Sequence, residues 1–191
     1  MENNTERIRE HLEEIMNLLD IPLTESNQDT PKRVAKMWSE ELFANRNDLH
    51  LGELDRKMKV FSNDYSSEMV IVKDIPFSSI CEHHWLPFSG TISVGYVPSD
   101  CIIGLSKIPR VVKYFSKRPQ LQEKLTTEVG EYLFKKLTPK ALFVSCEAKH
   151  QCVMCRGAES DCSTVTYAKF FGENLNDTET KEFWEEFRSR T

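Results

Sequence analysis

The chain has 191 residues, 39% of them hydrophobic and 29% charged, with seven glycines and eight prolines, which excludes collagen, coiled-coil rods, low-complexity chains and general disorder. Twenty-five basic residues against thirty acidic ones leave a net charge of −5, which argues against a nucleic-acid partner. No apolar run approaches the roughly 20 residues of a membrane helix, and the start Met1-Glu2-Asn3-Asn4-Thr5-Glu6 lacks an apolar secretory segment, so a soluble cytoplasmic protein with no membrane partner is expected.

The first predicted element is a helix over 6–20, where Ile8, Leu12, Ile15, Leu18 and Leu19 recur at helical spacing and Pro22 sets the limit. Asp29-Thr30-Pro31 announces the next, a capping residue followed by proline at the first helical position. Val34, Met37, Trp38, Leu42 and Phe43 are expected to form its buried face. The polar stretch 45–55 reads as a loop or arm, dividing an N-terminal helical region (1–55) from a main domain (56–191). From Lys57 onward the pattern turns to short β-branched runs: Met69-Val70-Ile71-Val72, then 91–97 and 101–105, with a hairpin expected over 94–105 around Pro98-Ser99-Asp100. Helices are predicted over 106–117 and 119–137, the second with Leu121, Leu125, Val129, Tyr132 and Leu133 inward. Strands return over 141–148 and 163–170, and a last helix over 177–190 carries Phe183, Trp184 and Phe187. Strands and helices without strict alternation predict an α+β fold with an antiparallel sheet.

Six cysteines, Cys81, Cys101, Cys146, Cys152, Cys155 and Cys162, stand in a chain with no secretory segment. Thiols kept for metal or chemistry are the expectation, rather than disulfides. In Cys81-Glu82-His83-His84 a cysteine and a histidine at i and i+3 can reach one ion from a tight turn, and thiolate with imidazole favours zinc. The plainer reading is a buried thiol beside surface histidines. His150-Gln151-Cys152, then Cys155 and Arg156, follow an apolar strand. Cys81, His84, Cys152 and Cys155 would make a closed structural site; Cys81, His84 and Cys152 alone would leave room for a water that becomes nucleophilic near neutral pH. A redox dithiol at Cys152 and Cys155 is a third reading, weakened by the missing βαβ context.

Lys107, Arg110, Lys113, Lys117 and Arg118 lie between Cys101 and Gln122 with no acid among them, and the first three are spaced three apart. One basic helix face in an acidic protein suits a polyanionic small molecule, the bland alternative being a solvated face. Arg33 and Lys36 repeat the spacing on an N-terminal helix, and His83 and His150 flank the candidate ligands, where imidazoles can move protons.

Cys81-Glu82-His83-His84-Trp85-Leu86-Pro87-Phe88, Gly104-Leu105-Ser106-Lys107-Ile108, Gln122-Glu123-Lys124-Leu125-Thr126, His150-Gln151-Cys152 and Arg156-Gly157 resemble, in order and spacing, the signature blocks of the GTP cyclohydrolase I family. Asp29-Thr30-Pro31-Lys32-Arg33-Val34-Ala35-Lys36-Met37 resembles its N-terminal helix block, so the likeness runs from about residue 7 to the C-terminus. The resemblance implies a tunnelling-fold α+β domain assembled into a toroidal homodecamer with active sites between subunits. It implies conversion of GTP and water to 7,8-dihydroneopterin triphosphate and formate, the first step of pterin and folate-type biosynthesis. Carried over residue by residue, Cys81, His84 and Cys152 hold Zn2+ with one position open, and the zinc-bound water attacks C8 of guanine. His150 and His83 shuttle protons during attack, imidazole ring opening and formate release; ribose rearrangement and ring closure follow. Glu123 matches the carboxylate that holds the guanine edge, and Gln122 joins it in the substrate-binding set. Ser106, Lys107, Arg110 and Arg156 match ribose and triphosphate contacts, and Arg33 and Lys36 match positions reaching the phosphates from a neighbouring subunit.

Three residues depart from the family pattern. Lys149 stands where Thr is usual, and is expected either to depress the basicity of His150 or to point away from it. Cys155 adds a thiol able to compete for metal, and Pro109 suits the first turn of its helix. Two other readings are open: a non-catalytic zinc-stapled binding module on Cys81, His84, Cys152 and Cys155, and a related tunnelling-fold enzyme on another purine or pterin. The superfamily's nitrile reductases use a cysteine nucleophile with NADPH and no zinc, and the pair His83-His84 with Cys152 downstream speaks against them.

Overall fold

The computed structural model of the chain describes residues 2–48, 50–65, 69–173 and 175–191. Its N-terminal part is helical: α1 (Glu2–Leu18), α2 (Thr30–Lys36) continued by a π-helical turn (Met37–Leu42), and α3 (Leu51–Lys57). α2 begins where Pro31 predicts, since proline's missing N–H would lack a helical partner there anyway. The face it buries differs from the expected one: Pro31 and Ala35 are buried, Val34, Trp38, Leu42 and Phe43 are half-buried, and Met37 is exposed. Beyond Lys36 the wider π-helical winding carries later residues off the stripe that a 3.6-residue period would give. The arm expected over 45–55 is helical from Leu51, because Leu51, Leu54 and Met58 offer the main core an apolar edge at helical spacing. α1 stops at Leu18, well short of Pro22.

The rest of the chain runs β1 (Val60–Ser62), β2 (Val70–Cys81), β3 (Pro87–Val97), β4 (Cys101–Ile103), α4 (Lys107–Ser116), β5 (Pro119–Gln120), α5 (Gln122–Leu137), β6 (Ala141–His150), α6 (Gln151–Met154), β7 (Ser163–Phe171) and α7 (Asp177–Arg190). Five strands form one sheet in the order β5-β2-β3-β6-β7, antiparallel except for the parallel pair β2–β5. The fold is α+β, as the pattern predicts. The hairpin expected over 94–105 does not form: both edges of β3 are taken by β2 and β6, and β4 pairs instead with β1. The helix expected from 119 starts at Gln122, and Pro119-Gln120 is extended alongside Ile80-Cys81. Proline disfavours helix in the residue before it, so the chain leaves α4 extended.

Side chains alternate across the sheet. One face of β3 and β6 packs on α4 and α5, where Leu125, Val129, Leu133 and Leu137 recur every fourth residue with no exposed area. Gly130 lets α5 lie close to β7: a Cβ there would come 2.1 Å from Phe170. The other face is covered by α7, whose Phe187 packs against Phe143, Val97 and Ala141. α7 begins with a capping box, Asn176 and Glu179 each satisfying the other's backbone N–H. No helix among the described residues is long and apolar enough to cross a membrane.

Candidate active site

The end of β2, the start of β3, the end of β6 and the N-terminus of α5 meet at one end of the sheet. β2 ends at Cys81, and the chain reverses through a turn closed by Trp85 N on the Cys81 carbonyl and by Cys81 N on the Leu86 carbonyl, both at 2.9 Å. Such a turn sets side chains three apart on one side, which brings His84 round to Cys81. Trp85 leaves the turn with a φ of 54°, a strained conformation for tryptophan. It is held by edge-on contacts to Trp38 (5.5 Å) and Phe43 (5.4 Å), which tie the turn to the N-terminal helical region.

β5 braces the turn from the other side, the Gln120 carbonyl accepting from Glu82 N at 3.0 Å. Gln120 is itself fully buried and donates to the Phe115 carbonyl and to Glu128. Arg118 is therefore not part of a solvated basic face: its buried guanidinium lies between Asp48 and Glu128.

Across the sheet end, His150 closes β6 and the short α6 carries Cys152. The sulfurs of Cys81 and Cys152 and a ring nitrogen of His84 lie within 4.8 Å of one another. Burial and the facing Cys81 thiol push Cys152 above the ordinary thiol range, since two thiolates this close repel unless a cation stands between them. Two sulfurs and an imidazole are a donor set that fits a zinc-like ion. Cys155 lies outside this group, exposed just past α6, so the three-donor arrangement is the one the fold assembles among the described residues.

His150 stacks on Phe88 and its Nε2 lies 2.8 Å from Gln122 Oε1. Burial lowers its pKa, partly opposed by the negative charge of Glu123 in the first turn of α5. Arg156 stands close enough to Cys152 to favour its thiolate. His83 is exposed, its ring edge-on to that of His84 at 6.2 Å. Lys149 points away from His150 on the opposite face of β6 and pairs with Asp161 at 2.7 Å.

The basic residues sit further out. Ser106 precedes α4 and Lys107 opens it, while Arg110 joins Lys113 and Lys117 in a cavity of about 830 Å³ whose other lining includes Glu40, Glu41 and Glu53. Arg33 makes its polar contacts to Thr30 and Asp29, and Lys36 to Glu40, all within the same helical segment. Phe88, Gln120, Trp38 and Phe43 were not among the sequence candidates. Phe88 could have been found only from the strand register, which sets it directly opposite His150.

Comparison with known proteins adds a family to this geometry. The GTP cyclohydrolase I family description matches residues 8–188. The GTP cyclohydrolase 1 of Sulfurihydrogenibium sp. (strain YO3AOP1) is 46% identical over 161 residues, covering 84% of this chain and 82% of that one. That of Streptococcus mutans serotype c is 41% identical over 182 residues, covering 94% and 92%. Among solved structures, the archaeosine synthase QueF-Like in the apo form aligns with a TM-score of 0.45 and 18% identity, over 59% of this chain and 100% of that one, a likeness too loose to argue from.

Proposed function

Since the chain belongs to the GTP cyclohydrolase I family and is a GTP cyclohydrolase, we propose that the side chains gathered at the sheet end carry out the conversion of GTP and water to 7,8-dihydroneopterin triphosphate and formate. The observation that carries this reading is the convergence of Cys81, His84 and Cys152 within 4.8 Å, with His150 at the end of β6, two residues before Cys152. These three residues would hold Zn2+, leaving Cys155 free. A zinc ion on three protein donors supplies Lewis acidity and, at its remaining position, a water acidic enough to be a nucleophile near neutral pH.

The chain's own residues do the rest. His150, gripped by Phe88 and Gln122, takes at a ring nitrogen the proton lost by the attacking water and passes it to the purine nitrogen that is freed as guanine's five-membered ring opens and formate leaves. His83, beside His84 and open to solvent, is the second proton carrier. Glu123 accepts from the guanine ring N–H and exocyclic amine; adenine has no N–H at the matching ring position, so the carboxylate selects guanine. Ser106, Lys107, Arg110 and Arg156 take the ribose and triphosphate.

Arg33 and Lys36 sit on α2, away from the cluster, which fits a role at the phosphates of a neighbouring subunit's site. We therefore read the assembly as a toroidal homodecamer of tunnelling-fold subunits, with residues 1–55 as the arm and 56–191 as the catalytic domain. Six free thiols suit a reducing cytoplasm.

Incubating the purified protein with GTP, with and without a strong zinc chelator, tests the reading through formate release and pterin absorbance. Equal amounts of formate and pterin, both lost on chelation and restored by zinc, are expected. Protein that holds one zinc per chain and makes neither product would overturn it.

A further inference from the structure

Gln122 opens α5 and is 2% exposed, yet its side-chain amide is surrounded by partners. One end of the amide faces the carbonyl oxygens of Cys146 at 2.9 Å and Thr164 at 2.8 Å. Backbone carbonyls only accept, so that end is the NH2 group and both of its hydrogens are committed. The other end is therefore the oxygen, which only accepts, and it lies 2.8 Å from His150 Nε2. For a hydrogen bond to exist there, Nε2 must carry the hydrogen. A neutral imidazole has one, so Nδ1 is bare.

The orientation of the amide is itself locked. Gln122 Nε2 also approaches the Thr166 hydroxyl at 3.3 Å, Thr166 meets Thr126 Oγ1 at 2.7 Å, and Thr126 donates to the carbonyl of Gln122 at 2.7 Å. This closed ring joins the first turn of α5 to β7. Turning the amide over would set its oxygen against two carbonyl oxygens and break the ring at its start.

We infer that Gln122 is a positioning residue that fixes His150 as the Nε2–H tautomer with Nδ1 bare, and that Gln122 itself makes no contact with GTP. This replaces the substrate contact that the family resemblance implies for Gln122, and it rests on the reading of His150 as a proton carrier. With both N–H bonds spent on backbone carbonyls and almost no exposed surface, the amide has nothing to offer a guanine ring.

The test is solid-state NMR of the zinc-loaded protein, labelled with 15N and 13C in histidine and held in mildly alkaline buffer. The His150 signals are identified by their loss in His150→Asn. The expected result is a neutral ring protonated at Nε2 and bare at Nδ1; protonation at Nδ1 would overturn the proposal, and this measurement on the unaltered chain needs no variant of Gln122 to fold. In parallel, Gln122→Met should lower kcat by roughly 10²-fold with KM within about twofold. A raised KM with unchanged kcat in Gln122→Met would mean that Gln122 touches substrate, and would also overturn the proposal. Wild-type protein inert towards GTP would sink the functional reading instead, while the NMR result alone would still decide the tautomer.

Discussion

The imidazole of His150 lies flat on the ring of Phe88, centroids 4.6 Å apart and planes 3° from parallel. The two residues are directly opposed in the β3–β6 register, so the stack follows from strand pairing rather than from any local motif. It holds the ring on one side while Gln122 holds its edge. Phe88→Leu removes the platform but keeps an apolar side chain in a site only 1% exposed. The expected result is a loss of about 1–2 kcal/mol in urea unfolding and a several-fold fall in kcat with KM little changed. An unchanged kcat would deny the stack any part in holding His150.

Cys155 follows Cys152 at the spacing of a familiar metal motif, yet only Cys152 joins Cys81 and His84. Zinc content measured by atomic absorption should therefore survive Cys155→Ala at one ion per chain. Cys81→Ser, His84→Ala and Cys152→Ser should each abolish it, with formate release dropping to the level of chelated wild type. Loss of zinc from Cys155→Ala would restore the closed structural site as the better reading.

What could be read from the sequence was local. The turn that joins Cys81 to His84 spans a few residues, so spacing alone was informative, and α7 was legible over its full length because its cap and its aromatic stripe lie within one helix. The pairing of β4 was not legible: β-branched runs say that a strand exists, but the choice between β3 and β1 depends on which edges other strands have filled. Arg118 was read into a basic face for the same reason. Its acid partners, Asp48 and Glu128, come from distant parts of the chain, so its burial was invisible in a local charge count. The partners of the Gln122 amide were equally invisible, because the carbonyls it donates to come from β6 and from β7, distant in sequence.

Asp55 on α3 accepts from Lys136 at 2.8 Å and Tyr132 at 2.9 Å, both on α5. The Lys136 bond, then the tyrosine, hold its carboxyl below the ordinary range. A depressed carboxylate adds stability that is present above the unfolded value, near pH 4, and lost as pH falls through the folded value. The pair is partly exposed, so Asp55→Asn should cost only about 0.5 kcal/mol at neutral pH. The difference between variant and wild type should vanish in acid. Urea unfolding at neutral and acid pH checks this, and a gap that persists in acid would assign the effect to packing rather than charge.

Cys146 is buried on β6 beside Thr126 and Thr166, and burial pushes its thiol up to about 12. Alkylating reagents attack the thiolate, so near neutral pH this residue is protected twice, by its protonation and by its position. Cys155 and Cys162 are exposed. Iodoacetamide followed by peptide mass mapping should find Cys155 and Cys162 modified first, and Cys146 modified only after unfolding in urea. Labelling of Cys146 at the rate of Cys162 in folded protein would contradict the packing of α5 on β6.

Lys149 precedes His150 in sequence, and a cation one residue from an imidazole would be expected to hold it neutral. Strand geometry prevents this. Successive side chains of β6 point to opposite faces, so His150 turns towards Phe88 and α5 while Lys149 turns to solvent and pairs with Asp161 at 2.7 Å. Charges separated by a sheet, one of them neutralised and half in water, interact weakly. Burial, not Lys149, is the force that lowers the basicity of His150, and the nearby charge that modifies it is Glu123. Lys149→Thr should therefore change stability by no more than about 0.5 kcal/mol and leave the pH profile of formate release where it is in the parent. Glu123→Gln should cripple the reaction through the guanine edge. An acid limb displaced in Lys149→Thr alone would show that the lysine reaches the site in the assembled enzyme, and that its pairing with Asp161 is broken there.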